Sequence, residues 1–121
     1  FNKILVDVVC SGSGTLRRHP EIRWRLKPSD LDRLSDLQSK LLANASVHLK
    51  RGGLLLYATC SLEPEENEQV IHRFLFENPH FCLERSFDSE LNSYYDQDGF
   101  IRLRPNKSSP DGFFGAVLRR G

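Results

Sequence analysis

Residues 3–14 read KILVDVVCSGSG. The run over 3–9 is short, apolar and rich in β-branched side chains, and a Ser-Gly-Ser-Gly segment follows its cysteine. An apolar run without polar alternation is expected of a strand buried on both faces, as in a parallel sheet. Residues 54–61, LLLYATCS, repeat the pattern and again end on a cysteine followed by a serine. Between the two runs, Leu31, Leu34, Leu37, Leu41, Leu42, Ala45 and Leu49 recur at helical spacing. A helix over about 30–49 is expected, capped by Ser29 and stopped by Gly52 and Gly53. Two apolar strands joined by a helical crossover form a βαβ unit whose strands run parallel.

Past the second thiol, Pro64 suits the first position of a helix reaching Glu77. Glu65 and Glu66 would sit at the positive end of its dipole, and Val70, Ile71, Phe74 and Leu75 would form its inner face. FCLER at 81–85 reads as a short strand and FIRLRP at 100–105 as a half-buried one. SSPDG then signals a turn into FFGAVLRR at 113–120, which makes the end of the chain an antiparallel hairpin. The expected fold is α/β: a parallel βαβ core with an antiparallel C-terminal hairpin, in a single partial domain over residues 1–121.

Bulk composition narrows the function classes. Seventeen basic against sixteen acidic residues give a net charge of +1, so total charge identifies no partner. The three cysteines, Cys10, Cys60 and Cys82, form no CxxC pair, which argues against a disulfide framework or a structural zinc site. Free thiols point to a reducing, intracellular compartment. No apolar run approaches the roughly 20 residues of a membrane span. The chain starts on Phe1 rather than Met and enters a strand at once, as a piece of a longer protein would.

Three chemistries fit a glycine-bearing turn after a strand. A dinucleotide cradle needs G-x-G-x-x-G opening a helix; here Arg17 stands at the third position and Pro20 would interrupt the helix. A metal site lacks ligands, since His19, His48, His72 and His80 are scattered. Covalent chemistry fits better. Cys10 and Cys60 each lie just past the carboxyl end of a strand, where open α/β sheets bind ligands, and Asp7 stands three residues before Cys10. A thiolate adds readily to an electron-poor ring carbon and later leaves it. A helix dipole just beyond Cys60 would favour its thiolate. Cys82 has no such placement and is expected to be a small buried hydrophobe.

These residues carry a resemblance. ILVDVVCSGSGTLRRHPEIRW, LQSKLL, GGLLLYATCSLEPEENEQVI and DGFFGAVLRR, in that order, resemble the RNA 5-methylcytosine methyltransferases of the NOL1/NOP2/Sun family. The resemblance implies the C-terminal half of a Rossmann-like class I S-adenosylmethionine-dependent methyltransferase fold, with the cofactor-binding half missing. It implies methyl transfer to cytosine C5 of RNA, ribosomal RNA above all, through a covalent adduct of Cys60 with C6. Cys10 would release the adduct, and Asp7 would hold the cytosine by its ring nitrogen and amino edge and border the cofactor. S-adenosylmethionine would serve the whole protein but bind this piece poorly. The implied location is cytoplasmic in a bacterium and nucleolar in a eukaryote. Gln38, Asn67 and the Asp111–Phe114 stretch are also typical of the family; polar helix contacts and a turn with aromatic packing near the crevice are their simplest readings.

Arg17, Arg18, Arg23, Trp24, Arg25 and Lys27 concentrate charge and one indole in a short stretch suited to RNA phosphates and an unpaired base. One departure stands out: Val9 occupies the position where the family usually has proline, which would fix φ beside the first thiol. A non-catalytic RNA-binding or scaffold module that keeps the fold is the alternative reading.

Overall fold

The computed structural model describes residues 1–12, 27–85, 95–103 and 112–121. In chain order the elements are β1 (Lys3–Asp7), α1 (Pro28–Ser46), β2 (Leu54–Thr59), α2 (Glu68–Glu77), β3 (Phe81–Glu84), β4 (Ile101–Leu103) and β5 (Phe113–Arg120). β1 and β2 pair in parallel, from Lys3 opposite Leu54 to Asp7 opposite Ala58. The expected βαβ core is therefore present, and so is the antiparallel β4–β5 hairpin.

β5 does more than close a hairpin. It inserts beside β2, antiparallel, from Leu54 opposite Arg119 to Thr59 opposite Phe114. Its other edge is shared: Phe113–Gly115 pair with β4, and Val117–Arg120 pair with β3. The sheet order is β1-β2-β5-β3, with β4 also on β5. Local sequence supplies no signal for this long-range insertion.

One face of the sheet is buried. Leu42 and Leu49 from the α1 region, Ile71 and Phe74 from α2, and Leu55, Tyr57, Phe114, Ala116 and Leu118 from the sheet make one apolar core with Phe81 and Phe100. Each large apolar side chain there stabilises the fold by about 1.5–3 kcal/mol. The other face carries Leu5, Leu54, Leu56 and Val117 around an open groove, and Leu5 is 65% exposed.

The expectation that β1 is buried on both faces is corrected here: its residues alternate between exposed and half-buried. β1 forms one end of the sheet order, and Ile4 and Val6 face the core. An unbroken apolar run reports that both faces shun water, not that both are covered.

Helix boundaries also shift. α1 begins at Pro28, with Lys27 as the N-cap in extended conformation, so Ser29 is not the cap. The Lys27 N–H donates to Asp30 Oδ2 at 2.9 Å. The helix ends at Ser46, and Leu49 is buried in the following turn. Gly53 then enters β2 where an added Cβ would lie 2.8 Å from two backbone oxygens, Asn2 and Lys50. Residues 64–67 form a turn rather than the first turn of α2. The Pro64 carbonyl accepts from the Asn67 and Gln69 N–H groups at 3.2 and 3.1 Å, and Glu65 and Glu66 precede the helix. Among the described residues, no helix is long and apolar enough to cross a membrane.

Candidate active site

The parallel register brings the carboxyl ends of β1 and β2 side by side, about 4.8 Å apart. The Val8 N–H donates to the Ala58 carbonyl at 3.1 Å and extends the ladder one residue beyond β1. Each chain then leaves the sheet through its thiol. Gly12 takes a φ of 74°, a left-handed turn that a side chain rarely adopts. It curls the first loop so that the Gly12 N–H donates to the Cys10 thiol, and the Cys60 N–H donates to the same sulfur. The two cysteines that the sequence placed at matching strand ends therefore share one site.

Their environments differ. Cys10 is half-buried, and Cys60 is exposed. Burial pushes the Cys10 thiol up; the two N–H donors oppose this, while Glu66 and Cys60 reinforce it. Cys60 stands between Thr59, fully buried, and Ser61, 1% exposed, so that the thiol alone of the three faces outward. Hydrogen bonds fix this turn. Thr59 Oγ1 donates to Asn67 Oδ1 at 2.6 Å and accepts from the Ser61 N–H at 3.1 Å. Asn67 Nδ2 donates to the Ser61 carbonyl at 2.8 Å.

Beneath the thiols lies a carboxylate that sequence reading assigned elsewhere. Glu66 is fully buried. It accepts from the Ser11 N–H at 2.7 Å, from Ser11 Oγ at 2.6 Å, from Gln38 Nε2 at 3.1 Å and from Ser61 Oγ. Its backbone carbonyl accepts from the Tyr57 hydroxyl at 2.7 Å. Residues 64–67 form a turn before α2, and Glu66 is buried within it. A Pro-Glu-Glu-Asn run a few residues after a thiol was the sequence signal available for it. Gln38 and Asn67, expected as polar helix contacts, are both buried in this network.

The remaining site residues fall as follows. Asp7 closes β1, exposed, opposite Ala58 and on the strand face that also carries Leu5. Lys27 is exposed at the start of α1; Arg17, Arg18, Arg23, Trp24 and Arg25 lie outside the described residues. Val9, in the proline position, is 66% exposed, but its carbonyl accepts from Gln38 Nε2 at 2.9 Å. A side-chain amide thus restrains the backbone where the ring would have fixed it. Cys82 is exposed on β3 opposite Arg119, and the expectation of a buried thiol there is corrected. An even-numbered run on a short strand with one covered face leaves one of every two side chains outside.

The second thiol turn also meets the hairpin. Phe114, paired with Thr59, contacts the Tyr57 ring edge-on at 6.4 Å and the Phe100 ring at 5.1 Å. Arg102 lies 5.2 Å above Phe114 and is paired to Glu68 and Asp96. A small cavity of about 50 Å³ lies between Ser61, Leu62, Asn67, Arg102 and Phe113. α2 begins at Glu68, and its N-cap residue Asn67 donates to the Ser61 carbonyl at 2.8 Å, so the amino end of the helix adjoins the second thiol turn. Among the described residues, no group of three His, Cys, Asp or Glu side chains is arranged to hold a metal ion.

Comparison with known proteins now separates the possible thiol chemistries. Residues 1–119 match the family model of 16S rRNA methyltransferase RsmB/F. The chain belongs to this family. It is 37% identical over 124 residues to the probable ribosomal RNA small subunit methyltransferase B of Bacillus subtilis, covering 99% of this chain and 28% of that protein. It is 42% identical over 118 residues to ribosomal RNA small subunit methyltransferase B of Cronobacter sakazakii, covering 98% of this chain and 26% of that protein. A solved methyltransferase homologue from Pyrococcus horikoshii superposes with a TM-score of 0.76 at 34% identity, covering all of this chain and 39% of that one. The Rossmann-like methyltransferase fold and the NOL1/NOP2/Sun resemblance are thereby established. The chain spans about a quarter of the length of the curated relatives it matches.

Proposed function

We propose that this chain is the C-terminal half of the catalytic domain of a ribosomal RNA cytosine-5 methyltransferase, with S-adenosylmethionine as methyl donor. The observation that carries the reading is the paired-thiol site. An exposed Cys60 is held by buried neighbours, and its own N–H reaches the Cys10 sulfur, at the carboxyl ends of two parallel strands in an RsmB/F family member.

In this reading Cys60 Sγ adds to C6 of a cytosine that has left its stack. Addition makes C5 nucleophilic and places charge on the ring nitrogen side, where the Asp7 carboxyl group hydrogen-bonds the base. Once C5 carries the methyl group, loss of its proton lets the C6–S bond break. Cys10, beside Cys60 but more buried, assists that release. The stretch holding Arg17, Arg18, Arg23, Trp24, Arg25 and Lys27 would take the RNA phosphates and a neighbouring base.

The described residues do not by themselves fit the methyl donor. S-adenosylmethionine needs acceptors for its ribose and donors for its carboxylate. The two grooves along β1, of about 410 and 370 Å³, are lined by apolar side chains around Ile4 and Leu5, with Lys3 in both and His48 in the second. Lys3 could donate to a carboxylate, but among the described residues no Asp or Glu lines either groove to accept from the ribose hydroxyls. Calorimetry of the 121-residue chain is therefore expected to show no micromolar binding of the donor.

The decisive experiment uses the intact protein with its RNA. Cys10→Ala is expected to accumulate a protein–RNA adduct that survives denaturing electrophoresis, and Cys60→Ala to form none. An adduct with Cys60→Ala would exchange the two roles. No methyl transfer by the unaltered protein would favour the scaffold reading.

A further inference from the structure

The mechanism above leaves the most buried charged side chain of the site unused. Glu66 is fully enclosed, and its carboxylate accepts from the neutral groups of Ser11, Gln38 and Ser61. Burying a carboxylate costs several kcal/mol unless donors surround it. Four do, and their origin is informative. Ser11 directly follows Cys10, and Ser61 directly follows Cys60; one carboxylate accepts from both. Ser11 Oγ and Ser61 Oγ lie 3.5 Å apart across it. Gln38 of α1 donates to Glu66 at 3.1 Å and, through the same Nε2, to the Val9 carbonyl just before Cys10 at 2.9 Å.

Both loops are thus tied to a single group. An apolar side chain of the same size would take the carboxylate acceptor from the Ser11 N–H and leave the Gln38 amide only the Val9 carbonyl. A glutamine would present one oxygen and an NH₂ group where donors already converge. Only a carboxylate offers enough lone pairs for all four partners.

Resting on the proposed reaction, we propose that Glu66 is a positioning residue, whose carboxylate holds the Cys10 and Cys60 loops at the spacing from which both thiols reach one pyrimidine. It touches no substrate; it acts through Ser11 and Ser61. Its charge has a second consequence. Around Cys10 stand Cys60, Glu66 and Tyr57, and burial raises the Cys10 thiol with Glu66 and Cys60 adding to the effect. Cys10 is then kept in its thiol form at neutral pH, so it does not compete with Cys60 for C6 and still has a proton to exchange at release.

The test follows alkylation of each cysteine by iodoacetamide in the intact protein, resolved by peptide mass spectrometry, without RNA or methyl donor. In Glu66→Gln the Cys10 rate profile is expected to move to lower pH, and Cys10 to alkylate several-fold faster at neutral pH. Cys82, on β3 and outside the network, supplies the unchanged reference rate. In methyl transfer, kcat of Glu66→Gln is expected to fall about 100-fold with KM for RNA within about twofold, the signature of lost alignment rather than lost binding.

The paired substitution Ser11→Ala with Ser61→Ala keeps the charge and removes two donors; it is expected to lower kcat with KM unchanged. A folded Glu66→Gln whose Cys10 and Cys60 profiles superpose on those of the unaltered protein overturns the proposal. If Glu66→Gln does not fold, the serine pair decides, and an unchanged kcat overturns it. Absence of methyl transfer by the unaltered protein would instead overturn the reaction, leaving the alkylation profiles to judge the positioning role.

Discussion

The two thiol turns look alike in sequence, Cys-Ser after an apolar strand in each case, yet the fold treats them oppositely. The first is held from outside itself. Gln38 grips the Val9 carbonyl, Glu66 grips Ser11, and two N–H groups point at the Cys10 sulfur. The second is held from within and behind. Thr59 caps the Ser61 N–H, Asn67 bridges Thr59 and Ser61, and Cys60 is left facing out. The difference teaches that two identical side chains acquire different chemical environments from burial and hydrogen bonding alone. In the proposed reaction the half-buried thiol, ringed by donors and a nearby carboxylate, would exchange protons, and the exposed thiol on its rigid turn would meet the substrate.

That contrast breaks most completely at the proposed nucleophile. Cys60→Ser in the intact protein is expected to reduce methyl transfer to background, because a hydroxyl near neutral pH supplies almost no anion. Residual transfer at a sizeable fraction of the normal rate, measured with labelled donor, would detach catalysis from Cys60. Next in size is the rigidity of the second turn. Asn67→Ala removes the acceptor of Thr59 and the donor to the Ser61 carbonyl, both buried, and is expected to cost about 1–3 kcal/mol in urea unfolding. A smaller loss would show that Thr59 and Ser61 find other partners.

The asymmetry is sharpened by reactivity. At neutral pH Cys60 is expected to alkylate faster than Cys10, since it is exposed while burial raises the Cys10 thiol, and the gap should narrow as pH increases. The same shift appears in stability. The folded state holds the Cys10 proton more tightly than the unfolded chain does. Its contribution is therefore complete below the ordinary thiol range, about pH 8.5, and is lost as pH climbs through the higher folded value. Cys10→Ala is expected to flatten that alkaline loss in a chemical-denaturation series across pH. The smallest effect belongs to the third thiol: Cys82→Ser, at an exposed sheet position, is expected to change stability by no more than about 0.5 kcal/mol and to leave transfer intact.

Much of this arrangement was legible in the chain. The apolar runs at 3–9 and 54–59, with a leucine stripe between them, gave the parallel pair, and the position of each cysteine just past its run gave a shared site. What periodicity could not supply was depth. It assigned β1 two covered faces, yet Leu5 is largely exposed. It placed Glu65 and Glu66 in a first helical turn at the positive end of the dipole, whereas residues 64–67 form a separate turn in which Glu66 is buried. It named Gln38 and Asn67 as polar helix contacts, which they are, but did not show that both are buried. Each miss concerns a polar or apolar side chain whose surroundings are set by segments far away in sequence.

By itself the sequence determined the local elements, the parallel pairing and the convergence of two thiols, because these follow from side-chain periodicity and from where a strand must end. Only the tertiary structure decided that β5 inserts beside β2 and that Cys10 and Cys60 differ in exposure. It alone also brought Ser11, Gln38 and Ser61 onto one carboxylate across separations of 55, 28 and 5 residues. The physical reason is that a buried carboxylate is tolerated only where donors from separate segments meet, and such a meeting exists in the folded chain alone.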